Sequence, residues 1–163
     1  MKIGIISDTH IPVTRHKLPA ELLRALEGCD MIIHAGDIIE MWVLDDLKKI
    51  AKVEAVCGNM DSRNVRSSLP EKKTMNLEGK KICLMHGYGN PAILVKTLKN
   101  ELLSQKPDII IFGHSHRAMN ESMDGVLFFN PGSATDTVFA PYRSYGTIEI
   151  KNGEISAAIH KLK

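Results

Sequence analysis

Cysteine, aromatic residues, charge of one sign and long apolar runs are all scarce in this chain of 163 residues. The three cysteines, Cys29, Cys57 and Cys83, stand far apart with no C-x-x-C pair. That excludes a disulfide framework and points to a reducing compartment. Aromatics make up only 5%, too few stacking platforms for a single-strand binder. Lys and Arg number 21 against 19 Asp and Glu, a net charge of +2. A protein dedicated to nucleic acid carries a larger or more clustered basic excess, so nucleic acid is disfavoured as a partner. No run approaches the roughly 18 apolar residues of a membrane span. The apolar start turns polar at Ser7-Asp8, too early for a signal-peptide core. These absences lead us to expect a soluble cytoplasmic protein without a membrane partner.

What is present is ordinary globular composition, 44% hydrophobic and 25% charged. The length fits one domain over residues 1–163 and can bury roughly two-thirds of the unfolded surface. In the first half, apolar runs at 3–7, 31–35 and 53–57 alternate with helical patterns at 19–26 and 39–51. Val43, Leu44, Leu47 and Ile50 form the apolar stripe of the second helix. Strands separated by helices imply right-handed crossovers and a parallel sheet. Residues 73–77 and 81–85 flank Glu78-Gly79-Lys80 as a hairpin, 91–105 form the last good helix, and 108–112 form a very apolar strand. Asp124-Gly125 and Asn152-Gly153 mark turns in a C-terminal stretch of about 45 residues that reads as antiparallel β. The expected class is α/β, with two packed sheets and helices outside.

Five polar clusters each follow directly on an apolar strand: Asp8-Thr9-His10, Gly36-Asp37, Gly58-Asn59-Met60-Asp61, His86-Gly87 and Gly113-His114-Ser115-His116. Ligands of α/β sheets bind at the carboxyl ends of the strands, so parallel neighbours would bring all five to one rim. Asp-x-His alone is expected by chance about 0.4 times in such a chain, but Gly-Asn-x-Asp only about 0.03 times and Gly-His-x-His about 0.02 times. The conjunction carries the signal. Carboxylates and neutral imidazoles suit Mn²⁺, Fe²⁺, Ni²⁺ or Zn²⁺. In an extended segment, Asp8 and His10 point to one side and could reach one ion; His114 and His116 share that spacing and could serve one ion or two adjacent ones. Glycine before Asp37, Asn59 and His114 would let the backbone bend. Asp37 is the candidate bridge between two cations, and the Asn59 amide oxygen adds a neutral ligand. Two divalent ions, two aspartates and one hydroxide leave about one positive charge, enough to attract a phosphate oxyanion. His34 precedes the motif inside a strand and reads as a hydrogen-bonded near-core histidine. His16 and His160 read as surface residues, and Cys57 as a small buried residue.

At these residues the sequence resembles the calcineurin-like metallophosphoesterase superfamily, whose pattern is D-x-H, G-D, G-N-H-[DE], a later H and G-H-x-H. More narrowly it is similar to the small single-domain prokaryotic phosphodiesterases of that superfamily, through residues 2–10, 58–61 and Asn130-Pro131-Gly132-Ser133. The resemblance implies a four-layer αββα sandwich of two mixed β-sheets flanked by helices. It also implies two divalent metals per chain, Mn²⁺ favoured, and a metal-bridging hydroxide as nucleophile. By motif match, Asp8, His10, Asp37 and His116 would hold one metal, and Asp37, Asn59, His86 and His114 the other. Asp37, Asn59 and His114 would act on the bound phosphate. The implied activity is hydrolysis of a phosphate ester, most specifically a phosphodiester, of a small molecule rather than a protein. A homo-oligomer is left open. Two departures stand out. Met60 replaces the superfamily's leaving-group histidine and cannot donate a proton, and residues 134–143 are longer than the usual short Pro-Arg ending, which leaves the role of Arg143 open. The rival reading is a non-catalytic scaffold or interaction subunit with the same fold; retention of His10, His86, His114 and His116 speaks against it.

Overall fold

A computed structural model describes residues 1–13 and 15–163. Strands β1 (Lys2–Ile6), β2 (Met31–His34) and β3 (Lys52–Ala55) alternate with helices α1 (Ala20–Leu26) and α2 (Trp42–Lys48). Helix α3 (Arg63–Ser68) leads to the hairpin β4 (Lys72–Leu77) and β5 (Lys80–Met85). Helix α4 (Leu94–Leu102), flanked by 3₁₀ turns, precedes β6 (Ile109–Ile111), β7 (Met119–Met123), β8 (Val126–Asn130), β9 (Ser144–Lys151) and β10 (Glu154–Lys161). The strands form two five-stranded sheets, ordered β10-β9-β1-β2-β3 and β4-β5-β6-β8-β7. Among the described residues no helix is long and apolar enough to cross a membrane.

The period of two along each strand builds the layers. Ile3 and Ile5 of β1, Met31 and Ile33 of β2, Ile82 and Leu84 of β5, and Ile109 and Ile111 of β6 pack between the sheets. Their neighbours Ile6 and Ile32 face outward and pack with Leu22, Leu26, Val43 and Leu47 of α1 and α2. On the other side Cys83, Ile110 and Phe128 pack with Leu94, Leu98 and Leu102 of α4. Strands covered on both faces read as unbroken apolar runs. The result is the four-layer αββα sandwich with two mixed sheets.

Four details depart from the sequence-based expectation. Strands β1, β2 and β3 are parallel as expected, but β8 is parallel to β6 rather than part of a wholly antiparallel C-terminal region. The apolar β8 takes the interior position and the polar β7, with its exposed Asn120 and Glu121, takes the edge. The second helix begins at Trp42, not at residue 39. Ile38 and Ile39 instead donate their N–H groups to Asp61 Oδ1, both at 2.6 Å, and Ile39 sits at φ +82°. Helix α3 is short, has one buried residue, Val65, and is capped by Ser62, so it carries no apolar stripe to read. His160 is partly buried and stacks on Tyr145 with centroids 4.8 Å apart, rather than lying free on the surface.

Two positions pin the fold near the site. Gly146 of β9 lies under Phe129 of the opposite sheet, where a Cβ would stand 2.3 Å from the ring. Gly146→Ala should therefore destabilise the protein by about 1–3 kcal/mol through overpacking, read as a lower urea midpoint at unchanged m-value. An unchanged midpoint would show that the sheets can part there without cost. His34, at the end of β2, is fully buried. Its Nδ1 accepts from Gly36 N–H at 3.2 Å and its Nε2–H donates to Thr9 Oγ1 at 3.1 Å. Burial pushes its pKa from 6.5 down to about 3. The folded value lies below the unfolded one, so its contribution is complete above pH 6.5 and is lost as the pH falls toward 3. Stability should drop by up to ~1.4 kcal/mol per pH unit from this residue. The slope of unfolding free energy against pH between 6.5 and 4.5 should be steeper in the native chain than in His34→Gln; equal slopes would refute the assignment.

Candidate metal centre

Both sheets end in loops on the same edge of the sandwich. The loop after β1 carries Asp8 and His10, the loop after β2 carries Asp37, and the segment after β3 carries Asn59 and Asp61. From the second sheet, His86 follows β5, and His114 and His116 follow β6. Main-chain bonds lock the loops together: Asp8 N–H donates to Gly36 O at 3.0 Å, His10 N–H to Asp37 O at 3.0 Å, and Gly113 N–H to His86 O at 3.1 Å. His114 N–H crosses between the sheets to the Asp8 carboxylate, 3.2 Å from each oxygen.

The backbone reaches this arrangement by an unexpected route. Asp8, His10, Asp37, His114 and His116 all have φ between +45° and +68°. Asp8-Thr9-His10 and His114-Ser115-His116 are thus not extended, and the alternation argument for them fails. Side chains converge because these five residues themselves turn in the left-handed region. The glycines serve a different purpose from the bending expected of them at two of three positions. Gly36 has φ +95°, but Gly58 and Gly113 are needed for close approach. A Cβ on Gly58 would lie 2.2 Å from Asp37 Oδ1, and one on Gly113 would lie 1.9 Å from Ser7 Oγ.

Five of the seven expected ligands fall into two clusters, Asp8–His10–His116 and Asp8–Asp37–His86, whose ligand atoms lie within 4.8 Å of one another. His116 Nε2 is 3.4 Å from Asp8 Oδ1 and 3.2 Å from His10 Nε2. Asp37 Oδ2 lies 3.3 Å from His86 Nε2 and 3.5 Å from His10 Nε2, between the histidines of the two clusters. Its other oxygen accepts from Met60 N–H at 2.8 Å. Asn59 and His114 line the same cleft of about 350 Å³ but pair with each other, Oδ1 to Nδ1, at 3.0 Å. His114 Nε2 reaches Gly89 O at 2.7 Å.

The donor set fits a pair of cations. His86 donates from Nδ1 to Ala35 O at 2.7 Å, which turns Nε2 toward the carboxylates. That Nε2 is buried without a hydrogen-bond partner, 3.3 Å from Asp37 Oδ2, and such an atom is costly unless a proton or a cation held there faces the carboxylates. Atoms about 2.1 Å from one tetrahedral ion stand roughly 3.4 Å apart, as the 3.2–3.9 Å separations of His10, His116 and Asp8 do. The electrostatics show how much negative charge gathers here. Burial opposes charge on His86, yet Asp37 and Asp8 raise its pKa to about 9, so a cation bound at Nε2 would displace a proton. Burial also opposes ionisation of Asp37, but His86 and the Met60 N–H hold its carboxyl below the usual range. For His10 burial prevails and lowers the pKa, favouring the neutral imidazole that a metal requires.

Two residues complete the site: Asp61, which sequence reasoning placed in a polar cluster without a role, and Asp136, which it missed. Asp61 accepts from Ile38 and Ile39 through Oδ1 and from Gly58 at 2.7 Å through Oδ2, bracing the Asp37 loop against the Asn59 loop. Burial nonetheless raises its pKa. Asp136, in the long segment after Ser133, accepts from His116 Nδ1 at 2.5 Å. Its own oxygens are held by the N–H groups of Val138, Phe139 and Ala140. Asp136 fixes the tautomer that turns His116 Nε2 into the cluster. Only its place after Asn130-Pro131-Gly132-Ser133 marked it. Arg143 binds Leu162 N–H through its carbonyl at the head of β9 and does not line the cleft.

A model of the calcineurin-like phosphoesterase superfamily domain matches residues 1–153. A probable metallophosphoesterase of Methanocaldococcus jannaschii is 37% identical over 139 residues, 83% of this chain and 69% of that protein. A phosphodiesterase of the same organism is 28% identical over 144 residues, 81% of this chain and 83% of that protein. The crystal structure of wild-type Vps29 complexed with Zn²⁺, from Entamoeba histolytica, aligns with a TM-score of 0.76 at 25% identity and covers 99% of both chains. With the site residues held on the matched residues 1–153, the chain belongs to the calcineurin-like phosphoesterase superfamily.

Proposed function

We propose that the protein is a dinuclear metal-dependent phosphodiesterase acting on a small phosphate ester. The observation that carries this reading is the pair of clusters that share Asp8, with Asp37 Oδ2 standing between their histidines and His86 Nε2 aimed into them. In this reading Asp8, His10, Asp37 and His116 hold one cation, and Asp37, Asn59, His86 and His114 the other. Asp37 would be shared between the two, a role supported by its Oδ2 standing near histidines of both clusters. Two bound cations would supply Lewis-acid activation of water and charge neutralisation at phosphate. Mn²⁺ is favoured, and Ni²⁺, Fe²⁺ or Zn²⁺ suit the same donors.

The chain's own residues do the rest. The Asn59 amide and the His114 ring flank the cleft mouth and orient a phosphate oxygen there. Met60 lines the same cleft but has no proton to give, so the preferred leaving groups are acidic alcohols. The three cysteines are free and buried, consistent with a cytoplasmic protein. A second reading is an interaction subunit of the same fold, which the exposed Phe139 at the cleft and the neighbouring exposed Val138 suit. The retained ligand set favours the enzyme.

Hydrolysis of bis(p-nitrophenyl) phosphate should require added Mn²⁺, stop with EDTA, and fall on the order of 100-fold or more in His116→Ala, which loses a ligand and several kcal/mol of charge stabilisation. Absence of metal-dependent turnover would leave the interaction subunit as the better reading. Asp136→Asn should weaken Mn²⁺ binding about 10–100-fold in isothermal titration by freeing the His116 ring. Unchanged affinity would make Asp136 a purely structural residue of its loop.

A further inference from the structure

We propose that an apolar groove beside the metal centre is the subsite for one ester arm of the substrate, and that this arm is an alkyl or aryl group. The proposal rests on the phosphoesterase reading above and narrows its substrate class. The groove has a volume of about 650 Å³ and runs between α4 and the loop joining β6 to β7. Its walls are chiefly Pro91, Leu94, Val95, Phe112, Met119 and Phe139. Pro91, Ser115 and Phe139 also wall the metal cleft, so the two spaces are continuous.

Phe139 is the informative residue. It is 77% exposed, which is unfavourable for a large ring in water. Yet it is not loosely held. Its N–H donates to both oxygens of Asp136, the carboxylate that also binds His116. Its ring stands edge-on to the His116 ring, with centroids 6.3 Å apart. An aromatic whose backbone is held at the boundary of the two spaces offers a surface to whatever passes from one to the other. Charge selects the class of arm. Arg117 and Glu121 contribute one charge of each sign to the groove and the other walls are neutral. A second phosphate or a carboxylate would find no net positive field there, whereas an apolar arm would displace water from apolar walls.

The test compares two phosphonates that share the metal-directed head and differ only in the arm. With Mn²⁺-loaded protein, hexylphosphonate should bind about 10- to 100-fold more tightly than methylphosphonate, as burial of roughly half of five additional methylenes requires. In Val95→Asp and in Phe139→Ala the ratio of the two affinities should fall toward one. Equal affinities in the native chain, or a preference that survives both substitutions, would overturn the subsite while leaving the metal centre intact. Failure of both phosphonates to bind would overturn the subsite together with the phosphoesterase reading. A dimer in sedimentation that Val95→Asp dissolves would also overturn it, because a second copy would then fill the groove.

Discussion

Two buried carboxylates, Asp8 and Asp37, stand at the ends of adjacent parallel strands, and the rest of the site answers to that charge. Neither can be left uncompensated in so dry a place. Asp8 receives Ser7 Oγ–H and the His114 N–H, Asp37 receives the Met60 N–H, and three imidazoles crowd around their remaining oxygens. Backbone dipoles and the surrounding imidazoles satisfy part of this field. What remains is a concentration of acceptor atoms suited to small, hard cations.

The sandwich exists in a form that delivers these groups. A single parallel sheet could present Asp8 and Asp37 from neighbouring strands, but His86, His114 and His116 arrive from the opposing sheet. The intersheet core of isoleucines and Phe129 sets the spacing across which they meet. Gly146, Gly58 and Gly113 are the points where that spacing leaves no room for a Cβ. Packing and chemistry are thus coupled directly: a displacement of one sheet relative to the other would separate the ligands by the same distance.

Much of this was legible because it was local. Apolar runs covered on both faces announced the strands, and a polar cluster after each one announced the rim. Their shared edge followed from parallel order. What escaped depended on partners distant in sequence. Helix α3 has no stripe because one residue, Val65, anchors it. The late start of α2 reflects Asp61 claiming two N–H groups, which no pattern around residues 38–42 reveals. Strand β8 pairs with β6 because its phenylalanines outcompete the polar β7 for the interior. The alternation argument reached the right convergence of Asp8 with His10 for the wrong reason, since extended geometry was assumed where left-handed turns occur.

Those turns bear on the choice between an enzyme and an inert relative of the same fold. Non-glycine residues in the left-handed region are disfavoured by roughly 1 kcal/mol or more each and persist where their surroundings over-determine them. Here five candidate ligand residues share that conformation, and each is braced: Asp8 and His10 by the β2 loop, Asp37 by Met60, His114 by Asp8, His116 by Asp136. A surface used only for docking needs its outline, which relaxed turns could supply. The strain buys something only if the atoms it aligns are used together, and the atoms it aligns are donors. The long segment after Ser133 extends the same logic, since Asp136 fixes a donor with its carboxylate and, through the Phe139 N–H, fixes what stands at the mouth.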